Sequence, residues 1–160
     1  MDITGVDLTD PNTCFQSPLS LRYASPEMKY LYSDQFKFQT WREMWVILAK
    51  AQLKLKLPGV SQEQVTELEN NTKNIDFKRA KQEELERRHD VMAHVHTFAA
   101  AVSEESAKII HLGATSCFVG DNTDLIVHKK SLEHIQESLA ITCQRLRRVD
   151  IRSDRMLTAC

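Results

Sequence analysis

A heptad repeat of leucines in the last third of the chain constrains the fold more than any other feature. Four leucines recur every seven residues, and a second series follows each of them by three residues: Leu125, Leu132, Leu139 and Leu146, then His128, Ile135, Thr142 and Val149. This spacing predicts a helix that begins near Asp121 and extends about 43 Å to Val149, with a seam suited to a bundle or coiled coil. Only 11 residues follow Val149, so we expect the seam to require partners outside this chain.

The preceding residues also carry helical signals. Capping side chains followed by proline, an acid or a capping box predict helices that begin near five positions: Pro26, Asp34, Gln62, Phe77 and Asp90. In the second of these helices, gaps of three and four define one largely apolar face: Phe38, Trp41, Trp45, Leu48, Gln52 and Leu55. The chain has only four glycines and four prolines, which disfavours a turn-rich β fold. We therefore predict an all-α fold.

The same signals divide the chain into four parts. We predict a mobile lead-in at 1–20, a helical domain at 21–116, the incomplete start of a helical bundle at 117–149, and a divergent tail at 150–160. The lead-in is assigned from its content of Asp, Thr, Pro and Asn.

Composition limits the classes of function. With 21 basic and 22 acidic side chains, the net charge of −1 gives no general attraction for nucleic acid or anionic membranes. No apolar run reaches the ~18 residues of a membrane span, and the N-terminus lacks the basic and apolar regions of a signal peptide. The four cysteines suggest neither a zinc site nor a disulfide framework. We expect a cytoplasmic protein.

A first candidate site lies at Arg88, His89 and Asp90, where a charged helix gives way to an apolar one. Arginine can grip a carboxylate or phosphate, histidine can move a proton, and aspartate can orient either of them. The alternative is a helix end with favourable cations followed by an aspartate cap. A metal site is not expected, because His89, His94 and His96 lack the i, i+4 spacing of a helical zinc site.

A second candidate site lies in the break between two helical patterns, where Thr115 and Ser116 follow Gly113 and Ala114. Small residues allow backbone N–H groups to approach a ligand, and hydroxyls add donors for carboxylate or phosphate oxygens. The alternative is an ordinary capped helix start.

Two further basic features carry weaker signals. Arg22 and Tyr23 could reach a phosphate, but a surface arginine beside a packed tyrosine is equally ordinary. An arginine-rich tail lacks the interleaved aromatic residues of a nucleic-acid binder, so it supports that function only weakly: Arg145, Arg147, Arg148, Arg152 and Arg155.

Three segments together resemble the adenylosuccinate lyase family. They are residues 20–28 (Ser-Leu-Arg-Tyr-Ala-Ser-Pro-Glu-Met), residues 88–96 (Arg-His-Asp-Val-Met-Ala-His-Val-His) and residues 111–126, which begin His-Leu-Gly-Ala-Thr-Ser. They occur in the family's order and at fitting separations, and the resemblance extends from about residue 17 to about residue 146. It implies the all-helical fold of the fumarase/aspartase superfamily, which is built around a tetrameric helical bundle.

The resemblance also implies a reaction and the residues that bind its substrates. The family eliminates fumarate from adenylosuccinate, giving AMP, and from SAICAR, giving AICAR, with no cofactor or metal. Each active site draws on several subunits of a homotetramer, and neither nucleic acid nor membrane is a partner. Seven positions match the family's substrate-binding residues: Arg22, Tyr23, Arg88, His89, Asp90, Thr115 and Ser116.

The chain departs from the family in the residues that transfer protons. The family's general acid is a histidine in a Thr-His-x-Gln-Pro context, and its general base is a serine in Ser-Ser-x-Met-Pro-x-Lys-x-Asn-Pro. Neither motif occurs in these 160 residues, and the resemblance ends after about Leu146. We expect a truncated product that holds substrate-binding residues and has little activity alone. The alternative is a non-catalytic interaction subunit that joins full-length protomers through the leucine seam.

Overall fold

A computed structural model describes the backbone of residues 3–157 and the side chains of residues 3–149. Within that range the chain forms eight helices and no strand: α1 (Pro18–Tyr23), α2 (Pro26–Leu31), α3 (Asp34–Lys54), α4 (Gln62–Asn70), α5 (Phe77–Arg87), α6 (Asp90–Ala99), α7 (Glu104–Ala107) and α8 (Ser116–Leu157). The all-α prediction is confirmed. The side chains of Arg152 and Arg155, in the predicted tail, lie outside the described residues.

Four helices begin at the capping residues that the sequence indicated. The hydroxyls of Ser25, Ser33 and Ser61 each accept a hydrogen bond from a backbone N–H three residues later. The carboxylate of Asp76 does the same for α5. The side chain of Gln64 accepts a hydrogen bond from the backbone N–H of Ser61, which completes the capping box. These contacts satisfy N–H groups that have no partner inside the helix, so the predicted starts of α2 to α5 are confirmed.

Two helix starts differ from the prediction. The helix α1 was not expected, yet Ser17 and Ser20 form a capping box around Pro18, and Arg22 and Tyr23 therefore lie on a helix rather than before the first one. The helix α8 begins at Ser116 rather than near Asp121. The earlier start brings Val119 into the core, where it is fully buried, and this burial outweighs the polar composition of the next few residues.

The main core surrounds α3. Trp41, Trp45 and Ala49 are buried along one face of this helix and pack with residues from α4, α6 and α8. The predicted face is largely confirmed, but Leu55 is exposed because α3 ends at Lys54. The buried face of α3 lies beneath the segment that leads into α8, and this position matters for the candidate site.

A smaller contact region joins α2 to the middle of α8. Val127 packs with Leu31 and Phe36 in a second apolar cluster. Beyond this contact, every residue from 135 to 149 is exposed. The four heptad leucines are 58–66% exposed, so the described part of the chain leaves the predicted seam uncovered.

Candidate functional site

The residues Arg88, His89 and Asp90 form the junction between α5 and α6. Arg88 ends α5 in the left-handed conformation (φ 52°), and its backbone N–H donates to the carbonyl of Glu84. His89 is the N-cap of α6 and Asp90 is its first residue. All three side chains are exposed, and they line an open depression of about 880 Å³ together with Lys81, Glu84 and Leu85.

The Nδ1 atom of His89 has two competing neighbours. It lies 3.5 Å from the backbone N–H of Met92, from which it accepts as a helix cap, and 3.5 Å from Oδ1 of Asp90. A nitrogen that accepts from Met92 carries no proton, so the contact with Asp90 is not an ion pair in the capped state. Asp90 itself accepts from the backbone N–H of Val91 at 2.7 Å. Both side chains thus serve the start of α6 while remaining open to solvent.

The second candidate segment is held in place by α3. The indole Nε1–H of Trp45 donates to Nδ1 of His111 over 2.9 Å, and the side-chain amide of Gln52 donates to the carbonyl of Leu112 over 2.9 Å. Trp45 and Gln52 lie seven residues apart on the buried face of α3. Each donates a hydrogen bond to one of two consecutive residues of the segment. Thr115 and Ser116 then stand at the N-terminus of α8, which carries the positive end of the helix dipole.

His111, in the second segment, has an unusual environment and an unusual backbone conformation. Burial lowers the pKa of His111. His111 also adopts a left-handed conformation (φ 61°), which is uncommon for a residue with a side chain. Among residues 3–157, only Lys56, Arg88 and His111 combine a side chain with positive φ, and two of these three lie in the candidate site. Such backbone strain is typical of ligand-binding regions.

The pair Arg22 and Tyr23 lies elsewhere. Tyr23 is 78% exposed at the end of α1, and the hydroxyl of Ser25 lies 3.1 Å from Nε2 of His134, far along α8. Since His134 follows Ser116 by 18 residues of one helix, roughly 27 Å separates these two levels of α8. The contact of Ser25 with His134 thus places the end of α1, with Arg22 and Tyr23, toward the middle of α8, whereas Thr115 and Ser116 stand at its N-terminus.

Two residues of the site were missed from the sequence. Trp45 was assigned to the apolar face of α3 only, and His111 was included in a motif without a role of its own. No local signal reveals their contact, because the two residues are 66 positions apart in the chain. In the described part of the protein, no group of three His, Cys, Asp or Glu side chains is arranged to hold a metal ion.

Comparison with known proteins gives several similar chains. The chain is 46% identical over 132 residues to adenylosuccinate lyase of Schistosoma mansoni, a match that covers 82% of this chain and 27% of that protein. It is 40% identical over 140 residues to adenylosuccinate lyase of Schizosaccharomyces pombe (86% and 29%) and 43% identical over 134 residues to adenylosuccinate lyase of Saccharomyces cerevisiae (82% and 28%).

The matches cover most of this chain but a minor part of each relative. The chain spans less than a third of the length of the curated relatives named above. No protein-family model matches the chain. None of the described helices is both long and apolar enough to cross a membrane.

Proposed function

This chain belongs to the adenylosuccinate lyase family, and from that premise we propose that it supplies substrate-binding segments of an adenylosuccinate lyase active site. The reaction is the elimination of fumarate from adenylosuccinate, which gives AMP, and from SAICAR, which gives AICAR. A base removes a proton beside a carboxylate, the C–N bond breaks, and an acid protonates the departing nitrogen. The anionic intermediate requires nearby cations and hydrogen-bond donors.

The single observation that supports this proposal most is the position of Thr115 and Ser116 at the N-terminus of α8, directly after a segment that Trp45 and Gln52 hold against α3. A helix N-terminus attracts anions, and Thr115 and Ser116 add hydroxyl donors at that point. Arg88, exposed at the end of α5, would add a cation to this site. These groups suit the carboxylates and the phosphate of a succinylated nucleotide, and they need no metal to bind them.

Arg22 and Tyr23 fit the same function only if the site is built from more than one chain. Arg22 and Tyr23 lie too far from the N-terminus of α8 to bind the same small substrate as Thr115 and Ser116 within a single chain. In a homotetramer, Arg22 and Tyr23 of one protomer would complete a site that contains Arg88, His89 and Asp90 of another. We propose that arrangement for an assembled protein in the cytoplasm.

We further propose that these 160 residues are inactive alone, because they contain neither family motif for proton transfer. The purified chain should release no fumarate from adenylosuccinate. A chimaera that joins residues 1–146 to the remaining part of the Saccharomyces cerevisiae relative should release it. Fumarate release by the isolated chain would refute the first expectation, and a folded, tetrameric but inactive chimaera would refute the second.

The role of Arg88, at the junction between α5 and α6, can be tested in that chimaera against a control variant with the same change in net charge. Arg88→Gln should raise KM at least tenfold, because an exposed cation that grips an anionic substrate is lost. Lys78→Gln is the control, since Lys78 is also exposed on α5 and its substitution changes the net charge equally. Equal KM values for the two variants would exclude Arg88 from the site.

The exposed leucine seam favours a second candidate function, that of a non-catalytic interaction subunit. Solvent-exposed leucines at heptad spacing along α8 are suited to packing against helices of full-length protomers. The chain should then co-purify with a full-length family member at a fixed ratio. Separate elution of the two proteins at micromolar concentration would exclude this function.

A further inference from the structure

The contact between Trp45 and His111 determines which nitrogen of the imidazole carries a proton. An indole N–H can only donate a hydrogen bond. Because Nε1 of Trp45 donates to Nδ1 of His111 over 2.9 Å, Nδ1 must accept, and the proton of the neutral ring lies on Nε2. The two rings also meet nearly edge to face, with centroids 5.8 Å apart and an interplanar angle of 80°.

The surroundings of the pair keep this arrangement fixed. Trp45 is fully buried and stacks on Phe98, so its N–H has little freedom to turn away. Gln52 holds the next residue of the segment through the carbonyl of Leu112. His111 is only half-buried, and because Nδ1 faces Trp45, Nε2 lies on the opposite edge of the ring.

The electrostatic setting favours the neutral ring. Burial lowers the pKa of His111, which favours the uncharged imidazole at neutral pH. A neutral ring whose tautomer is fixed presents one N–H donor of constant direction, whereas a freely exchanging ring would present a donor or an acceptor. This property suits a site that must hold an anionic oxygen in one orientation.

We infer that Trp45 is a positioning residue, which acts through His111 by fixing its Nε2–H as a hydrogen-bond donor toward an oxygen of the bound ligand. The ligand itself rests on the proposed lyase function, but the tautomer of His111 does not. The inference extends the site into the core of the chain. A fully buried side chain of α3 determines which nitrogen of the half-buried His111 ring carries the proton.

The test is ¹⁵N–¹H correlation NMR of the histidine side chains in the full 160-residue chain at neutral pH. In the parent chain, Nδ1 of His111 should resonate as an unprotonated ring nitrogen and Nε2 as a protonated one. In Trp45→Phe the two nitrogens should shift toward each other as both tautomers become populated. A titration should show the pKa of His111 rising, because the hydrogen bond that Nδ1 accepts only in the neutral ring is lost.

The control is Trp41→Phe, which makes the same substitution one turn away on α3. Trp41 is also buried, but within the described residues its Nε1 makes no hydrogen bond, so this variant should leave the His111 resonances unchanged. Protonation of His111 on Nδ1 in the parent chain would overturn the inference even if neither variant folds. Unchanged His111 resonances in a folded Trp45→Phe chain would also overturn it.

The NMR result separates this inference from the proposed function. A fixed tautomer in a chain whose folded, tetrameric chimaera releases no fumarate would support the role of Trp45 and refute the proposed lyase function. In an active chimaera, Trp45→Phe should lower kcat/KM at least fivefold and displace its pH profile, while Trp41→Phe should leave the pH profile in place. An unchanged profile in Trp45→Phe would mean that the fixed tautomer is not used in catalysis.

Discussion

Acid should destabilise this fold through one buried imidazole, that of His94. The ring is 4% exposed and stacks on Phe38, with centroids 3.6 Å apart and an interplanar angle of 19°. Burial lowers the pKa of His94 from 6.5 to about 4, and the charges of Arg42 and Lys37 contribute in the same direction. The folded protein therefore resists protonation at a site that the unfolded chain protonates readily.

The size of the effect follows from the two pKa values. Between pH 6.5 and pH 4 the unfolded chain binds more protons at this site, so the free energy of unfolding falls as the pH decreases through that window. The loss from pH 7.5 to pH 5 is about 2 kcal/mol, and the full loss below pH 4 is about 3 kcal/mol. With a urea m-value of about 2 kcal/mol/M, the unfolding midpoint should fall by about 1 M between pH 7.5 and pH 5 because of His94 alone.

The assay is urea unfolding followed by the fluorescence of Trp41 and Trp45 at a series of pH values. The variant His94→Phe keeps an aromatic ring against Phe38 but cannot take up a proton, so its midpoint should depend less on pH by that amount. The lowered pKa of His111 adds acid sensitivity of the same sign to both proteins and cancels in the comparison. His128→Gln, a substitution at an exposed position of α8, should keep the pH dependence of the parent.

The test compares how steeply the urea midpoint of each protein changes with pH. The midpoints at neutral pH are not compared, because His94→Phe can change stability there through packing alone. Parallel pH profiles for the parent and His94→Phe would show that His94 is protonated equally in the folded and unfolded states. That result would refute the argument from burial.

Three other predictions concern separate features. Arg42 is 1% exposed and donates through Nη1 to two loop carbonyls, so Arg42→Ala should lower the free energy of unfolding by about 3–5 kcal/mol in urea titrations; a loss below about 1 kcal/mol would contradict this. Glycine relieves left-handed strain, so Arg88→Gly and Lys56→Gly should each raise stability by about 0.5 kcal/mol, and lower thermal midpoints for both would contradict the strain argument. Leu139→Glu should reduce self-association in sedimentation velocity experiments, whereas Gln136→Glu, at an exposed position outside the heptad series, should not.

The helix starts could be predicted because their signals are local. Ser25, Ser33, Ser61 and Asp76 each cap the helix that follows, within four residues of sequence. The start at Ser17 carries the same serine–proline signal. The start of α8 could not be found locally, because it depends on burial of Val119 against distant helices.

The candidate site was predictable in its residues but not in its arrangement. The family resemblance indicated all seven positions, and their roles stay predictions. The sequence could not show that Trp45 of α3 holds His111, or that the end of α1 with Arg22 lies toward the middle of α8. The contacts from Trp45 and Gln52 cross 66 and 60 residues, and such pairing depends on the tertiary fold.

The long helix α8 combines two regions that should differ in backbone protection. Near Val127 and Ser131 it is buried against α2, whereas residues 135–149 are surrounded by solvent. An unsupported helix of about 15 residues is only marginally stable in water, so its amide hydrogens should exchange quickly while those near Val127 exchange slowly. A partner that covers the leucines would slow exchange across the outer region. The hydrogen-exchange rates of the backbone amides of 135–149 therefore report whether the chain is assembled.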